Sequence, residues 1–467
     1  MNVNVQQTPQ ISSSGRTQSL RTLVSSLRPD FHLIPAIILA YTCFLPRELW
    51  FEIGGIPFSP TRFAALLLFP VLLVIVKRQP LRFSPIDLLA GAFFLWFLIA
   101  AYMVDGYQLA LDRGLSVSVD RMLIYLIGRV SMRSHEDFRK LLVIILPGAF
   151  LAGFFMMVEA VSRTHILRPL VAEIFGRPPP DIQVDFRFSF LRAVGPFYHP
   201  ILAGLFLVAL VPLSWGALKG LPRIRPIGMS IGLFSLFALS SGPFLALAFG
   251  LGSITALVLQ RGLRIPFLAL AAAAGVVGIL ALEFATKSGA LSFVIRYMAL
   301  GSGSARYRTF IWEYGGIEVM NHPWFGIGAR DWIRPIWMVK ESVDAYWLVL
   351  AMQYGLPSAI LGFVLPLSTV FVLWRSGLRL PISPARDMQN GIIISIAMFM
   401  ICGFTVNIWD SASTLFLLLT AIGISLSQVA NERVGMIAAG WKSGTREHAY
   451  LAGQLPRARR NQWSSPA

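Results

Sequence analysis

The stretch GSARYRTFIWEYGGIEVMNHPWFGIGARDWIRPIWMVKESVDAYWLVLAMQYGLP, residues 303–357, lies between two long apolar runs yet carries Arg306, Arg308, Arg330, Asp331, Arg334 and Asp344. Ionised side chains at this density are too costly to hold in hydrocarbon. The stretch therefore reads as a polar excursion from a membrane, and the flanking runs as the spans it connects.

The rest of the chain supports that reading. Of its 467 residues, 55% are hydrophobic and only 13% charged, with mean hydropathy +0.66, which excludes an ordinary soluble globular domain. The sequence predicts an all-α polytopic membrane protein. Apolar windows fall near 33–47, 62–77, 85–104, 114–132, 139–161, 198–218, 226–241, 243–260, 265–284, 345–374, 389–407 and 411–428, about twelve spans. The first polar residues lack a compact apolar core with a small-residue cleavage site, so the first span is expected to serve as an uncleaved anchor. Cys43 and Cys402 both lie inside apolar runs and offer no disulfide or metal spacing.

Placing the N-terminus in the cytoplasm puts 24 of the 40 Lys and Arg residues on the inner side, in every short inner loop, and both termini inside. The chain then divides into a basic tail (1–30), N-terminal spans (31–161), a first outer loop (162–197), central spans (198–284), a large outer loop (285–344), C-terminal spans (345–428) and a second basic tail (429–467). Much of the +17 formal charge is thus a topology signal. The tail residues Arg457, Arg459 and Arg460 suit anionic membrane lipid, and no aromatic-interleaved basic domain argues for nucleic acid.

The two outer loops concentrate the informative charge. Residues 162–197 hold Arg163, Arg168, Arg177, Arg187 and Arg192, while 285–344 hold Lys287, Arg296, Arg306, Arg308, Arg330, Arg334 and Lys340. Arginine dominates, and its planar fork suits phosphate in partly dry surroundings. The outer side reads as built for an anion.

Within the first loop, Leu167 to Phe175 has the spacing of a short interfacial helix, and Pro178 to Pro180 impose extended chain. Arg192, the turn Gly195-Pro196, Tyr198 and His199 then stand just ahead of the sixth span. His199 is a candidate proton carrier or, with Pro200 behind it, a helix cap. Asp120 and Arg121 enter the fourth span as an expected structural pair, and Ser240-Ser241-Gly242-Pro243 reads as a tight outer hairpin. In the organising stretch Ser304 is expected to cap a helix carrying Arg306, Arg308 and Trp312. Arginine at a helix start opposes the macrodipole unless an anion binds there. Asp344 opens the tenth span either as a cap or as a carboxylate aimed into a site.

Together, Arg192…Gly195-Pro-Phe…Pro200, Arg308-x-x-x-Trp312, His322-Pro-x-x-Gly326-x-Gly328, and Asp344-x-x-Trp-Leu with Gly355-Leu-Pro resemble the bacterial O-antigen ligase and polysaccharide polymerase family, in particular its exopolysaccharide polymerase branch. The resemblance covers about residues 185–425. It implies a membrane-embedded, polyprenol-dependent (GT-C-like) glycosyltransferase of the inner membrane, working without metal or cofactor on the periplasmic side. The implied donor is an undecaprenyl-pyrophosphate-linked oligosaccharide and the implied acceptor a glycan hydroxyl, with flippase and chain-length regulator proteins as associated partners. Asp344 would act as general base, with His199 as the alternative. Arg192, Arg308, Arg306 and Arg187 would hold the pyrophosphate, and Tyr198 and Tyr346 would stack on sugar. Ligases of the family carry histidine where this chain has Asp344, which tilts the expectation from ligase to polymerase. A transporter is the rival outside enzymes, but it would gather charge at mid-membrane with two similar halves.

Overall fold

Three helices of this chain begin at the dipeptide Ser-Pro, and the reason is local. The hydroxyls of Ser59, Ser84 and Ser383 each accept a backbone N–H of the first turn, while Pro60, Pro85 and Pro384 occupy the position where a missing N–H costs nothing. Ser84 completes a capping box with Asp87.

The computed structural model describes residues 29–53, 56–263, 302–339 and 341–438, with scattered helical residues between 275 and 284. Most of both basic tails, most of the expected span 265–284 and the start of the large loop, including Lys287 and Arg296, lie outside the described residues. The helices run α1 (Ile34–Thr42), α2 (Pro60–Arg78), α3 (Pro85–Leu109), α4 (Ser116–Ser131), α5 (His135–Ser162), α6 (Leu167–Ile174), α7 (Pro200–Ala217), α8 (Ile224–Leu233), α9 (Ser241–Leu263), α10 (Ser302–Asn321), α11 (Tyr346–Arg379), α12 (Pro384–Cys402) and α13 (Asp410–Ala438). Two small antiparallel hairpins, β1 (Phe51–Ile53) with β2 (Ile56–Phe58) and β3 (Phe186–Arg187) with β4 (Phe190–Leu191), decorate the loops.

Among the described residues, seven helical runs are long and apolar enough to cross a membrane. One of them, Pro85–Ser131, is α3 and α4 joined through a π-helical turn at Ala110–Leu115, with Gly106 breaking the helix. Two expected spans are shorter. The first is only Phe31–Thr42, because the chain turns before Pro46, and the seventh is Ile224–Ala238, whose end tightens into a 3₁₀ turn before left-handed Leu239. The interfacial helix expected at 167–175 is α6.

At the centre stands α7. It is apolar on every side and every residue in it is buried, so it can only be an inner helix. It packs against α8, α9 and α12, with α13 beyond. Charge inside the bundle is paired. Arg129 of α4 is 3% exposed and donates to both oxygens of Asp87 at 2.8 and 3.0 Å, and to Ser425 Oγ of α13 at 2.6 Å. Asp120 is bonded by Arg62 of α2 at 2.8 Å, while Arg121 lies over the Phe97 ring. The Asp120 and Arg121 pair expected from sequence is therefore two separate attachments, since adjacent helical residues do not face each other.

The organising stretch folds onto α11 by a backbone clasp. α11 breaks at Gly355 (φ 82°), which frees carbonyls of the preceding turn. Ile327 N–H donates to Met352 O at 2.7 Å, Gly328 N–H to Gln353 O at 3.1 Å and the Trp96 indole to Tyr354 O at 2.9 Å, while Leu356 N–H returns to Pro323 O at 2.8 Å. The His322-Pro-x-x-Gly-x-Gly and Gly-Leu-Pro segments are thus the two halves of one structure. A Cβ on Gly355 would stand 1.9 Å from Trp324 O. Gly355→Ala is expected to cut the yield of folded protein severalfold. It combines an essentially glycine-only backbone (φ 82°, ψ 167°) costing about 1–3 kcal/mol with loss of the clasp, and size-exclusion profiles at matched expression would read it.

Candidate functional site

A cavity of about 950 Å³ opens where α7, α11 and α13 begin, beside the start of α9 and the first turns of α10, and beneath both loops. It is lined by Arg187, Arg192, Tyr198, His199, Arg308 and Asp344, six of the eight residues singled out from sequence, together with Ser240, Ser241, Asn407 and Trp409. Arg306 and Tyr346 do not line it. Arg306 is exposed, because two residues along a helix turn it about 200° from Arg308. Tyr346 is buried and packs edge-on against Trp347 at 4.9 Å, so it has no free face for a sugar.

Each side chain is positioned by an identifiable cause. The end of the 3₁₀ turn leaves carbonyls without helical partners. Leu239 O accepts from Arg187 at 3.0 Å and Ala238 O from Arg192 at 3.5 Å. Asp185 accepts from Arg192 at 2.9 Å and lies 3.9 Å from Arg187. The Arg192 to His199 segment hangs on a residue the sequence reading missed, Glu159 of α5, which is 0% exposed. One of its oxygens accepts Val194 N–H and Gly195 N–H at 3.1 and 2.9 Å, and the other accepts Ile166 N–H and Leu167 N–H at 3.1 and 3.3 Å. Gly195 (φ 56°) makes that turn. The available signal was a carboxylate in the last turn of an apolar run, which must find donors when buried.

A second unforeseen pair is Arg168 with Glu48. Both are buried, the Arg168 Nε donating to Glu48 Oε1 at 2.9 Å while its NH1 donates to Tyr198 O at 3.0 Å. Glu48, in the turn between α1 and α2, thus ties that turn to the first outer loop, and Arg168 is committed to a buried pair. The guanidiniums of Arg47 and Arg168 lie over the Tyr198 ring at 4.9 and 5.1 Å, and Trp409 meets it at 4.5 Å, so this ring already serves as a cation–π partner.

His199 is the N-cap of α7, its Nδ1 accepting Ile201 N–H at 3.2 Å. That fixes the neutral tautomer with its proton on Nε2, leaving no lone pair for a base. Burial, and then the charge of Arg192, push its pKa from 6.5 down to about 4. Of the two roles expected for His199, the structure shows the cap, with Nε2 able to donate. Because the folded value lies below the unfolded one, its contribution to stability is complete above about pH 6.5 and falls as pH drops toward 4. His199→Asn, which retains a cap acceptor, is expected to stay within about twofold of wild-type activity, with no inflection near pH 6.5 in the wild-type profile. An acidic limb that disappears in His199→Asn would return the base role to it.

The expected cap at Ser304 also differs. α10 begins at Ser302, so Ser304 lies inside the helix. Arg308 is 8% exposed, donates to Ser241 Oγ at a long 3.5 Å, and keeps Nε buried with no partner among the described residues. Burial and the charge of Arg192 hold its pKa below the ordinary value although Asp344 opposes this, and Arg187 is depressed by burial, Arg192 and Arg308. All three guanidiniums stay charged at neutral pH, so an anion between them would relieve their repulsion.

Asp344 is half-buried, faces this cavity and is not a cap. The N-cap of α11 is Ala345, with no side-chain bond, and the turn after α12 supplies acceptors for the first backbone N–H groups: Tyr346 N–H donates to Val406 O at 3.1 Å and Trp347 N–H to Gly403 O at 3.4 Å. Among the described residues, the group of His and carboxylate side chains close enough to share a metal is Asp30, His32 and Asp137, at the far ends of the helices. No family model matches the chain, and no curated protein matches it.

Proposed function

We propose that this protein is a metal-independent glycosyltransferase of the bacterial inner membrane, a polysaccharide polymerase that transfers undecaprenyl-pyrophosphate-linked glycan to an acceptor glycan hydroxyl in exopolysaccharide synthesis. The observation that carries the reading is Arg308, a buried guanidinium with a spare donor, facing Arg192 and Asp344 across one cavity. Burial of a cation with unspent hydrogen-bonding capacity is costly, and a pyrophosphate offsets that cost.

In the proposed reaction the acceptor oxygen attacks the anomeric carbon of the donor sugar. Its proton goes to Asp344, the bond from that carbon to the pyrophosphate oxygen breaks, and Arg192, Arg308 and Arg187 take up the charge that grows on the leaving group. General base catalysis is worth typically about 10²–10⁴ in rate, and each well-placed donor a few kcal/mol. The twelve-span topology with both termini in the cytoplasm belongs to the same proposal, and it sets this cavity on the periplasmic side.

Two measurements test it. Reporter fusions after Lys219 and Arg379 are expected to report cytoplasm, and fusions near Arg177 and Arg330 periplasm. A cytoplasmic result at either of the latter sinks the substrate assignment. Mass spectrometry of cells lacking the protein is expected to find single lipid-linked repeat units accumulating. Polymer that is made but left unattached would instead select the O-antigen ligase reading, and an unchanged lipid-linked pool would select the transporter reading or neither.

A further inference from the structure

One helix that begins at the candidate site, α13, passes a second cavity of about 900 Å³. α13 runs from Asp410, next to Trp409, to Gln428 on the wall of this second cavity, roughly 27 Å away at helical rise. Its charge is unbalanced once the pairs are assigned. Asp30 is taken by Lys140 at 3.2 Å and Glu136 by Arg139 at 2.5 Å, Asp137 is held by His32 at 3.3 Å and by the Arg133 N–H at 3.1 Å, and Arg129 is spent on Asp87 and Ser425. Arg82 pairs with Glu432. Two guanidiniums remain that meet no carboxylate among the described residues. Arg78 lies over the ring of Phe31, and Arg133 reaches only Gln79 O at 3.4 Å, with its Nε buried and unpartnered.

We infer that this cavity binds a phosphate-bearing anion between Arg78 and Arg133, at the opposite end of the bundle from the candidate active site. A flat basic surface would satisfy the positive-inside tendency equally well. A cavity that buries a guanidinium edge without giving it a partner asks for more, since a fork of donors is matched by phosphate oxygens. Burial and the nearby charge of Arg82 weigh on Arg133, and Asp137 only partly offsets them. Among the groups lining the cavity, five Lys and Arg side chains face three carboxylates, which favours an anion over a cation. Exposed Phe31 and Phe83 flank the mouth, surroundings that fit a phospholipid headgroup whose chains leave sideways, while a soluble phosphate shares the same recognition chemistry.

The test uses the full-length protein in detergent. Native mass spectrometry after addition of phosphatidylglycerol or phosphatidylcholine, and thermal unfolding with and without inorganic phosphate, are measured for wild type, Arg78→Gln, Arg133→Gln and Arg133→Lys. Arg375→Gln, an exposed basic residue at the same ends of the helices, is the control. Retention of phosphatidylglycerol over phosphatidylcholine that drops about tenfold in Arg78→Gln or Arg133→Gln and survives in the control supports the site with a lipid source. A phosphate-dependent rise in unfolding temperature that vanishes in the same variants supports it with a soluble source. Arg133→Lys guards against a folding failure of Arg133→Gln, because it keeps the charge and should retain part of the effect. Equal retention and equal stabilisation in wild type, Arg78→Gln and Arg133→Lys would overturn the inference, and none of these readouts depends on transferase activity.

Discussion

Arg308→Lys is expected to lose about a hundredfold or more of its activity on lipid-linked repeat unit, together with most donor retention, at matched levels of inserted protein. The lysine keeps the charge, so a purely electrostatic steering role would survive. What it loses is the fork: one edge of Arg308 reaches Ser241 while Nε is buried with no partner among the described residues, and a point ammonium cannot supply both directions. The loss corresponds to a few kcal/mol, the usual worth of a well-placed donor to developing charge. Arg306→Lys, exposed two residues away, is the internal control and should remain within about twofold. Equal tolerance at 306 and 308 would reduce the arginine cluster to solvated loop charge. Arg168→Lys cannot serve as a silent control, since it breaks a buried fork on Glu48 and releases Tyr198 O.

Asp344→Asn should fall by about two orders of magnitude or more in rate while the protein still inserts, keeps its unfolding temperature and retains donor. The structure sharpens this expectation, because the N-cap of α11 is Ala345 and the first backbone N–H groups of α11 find the carbonyls of Val406 and Gly403. Loss of stability with activity unchanged per folded molecule would assign Asp344 a structural role after all. Glutamate, which restores a proton acceptor on a longer arm, is expected to recover part of the rate.

What the sequence made legible follows from period and local chemistry. Long apolar runs, Ser-Pro helix starts and Gly-rich breaks are encoded within a few residues, so most helices stand where the hydropathy windows lie. The candidate site residues Arg187, Arg192, Tyr198, His199, Arg308 and Asp344 were legible because charge at the mouth of an apolar run is conspicuous. Illegible were the attachments made over distance. Glu159 reads as an oddity near the end of a span until the turn at Gly195 folds onto it, and Arg168 with Glu48, 120 residues apart, has no local signature. Tyr346 was misjudged because a first helical residue can turn either to the cavity or to the bundle, and its neighbour Trp347 decides this through packing. Arg306 failed for a simpler reason, the angle between helical neighbours two apart.

Arg129 also imposes a timetable. Its first partner, Asp87, is 42 residues earlier in the chain, but Ser425 comes 296 residues later. At roughly 5–20 residues per second of synthesis, the ribosome takes about 15–60 s to deliver the second partner. Throughout that interval the guanidinium on α4 has Asp87 and the Arg82 carbonyl as partners and lacks those on α13. The first helices therefore wait in a provisional arrangement until α13 arrives. A chain stopped before α13 leaves one edge of Arg129 without Ser425 and Gln428, however well its earlier helices have packed.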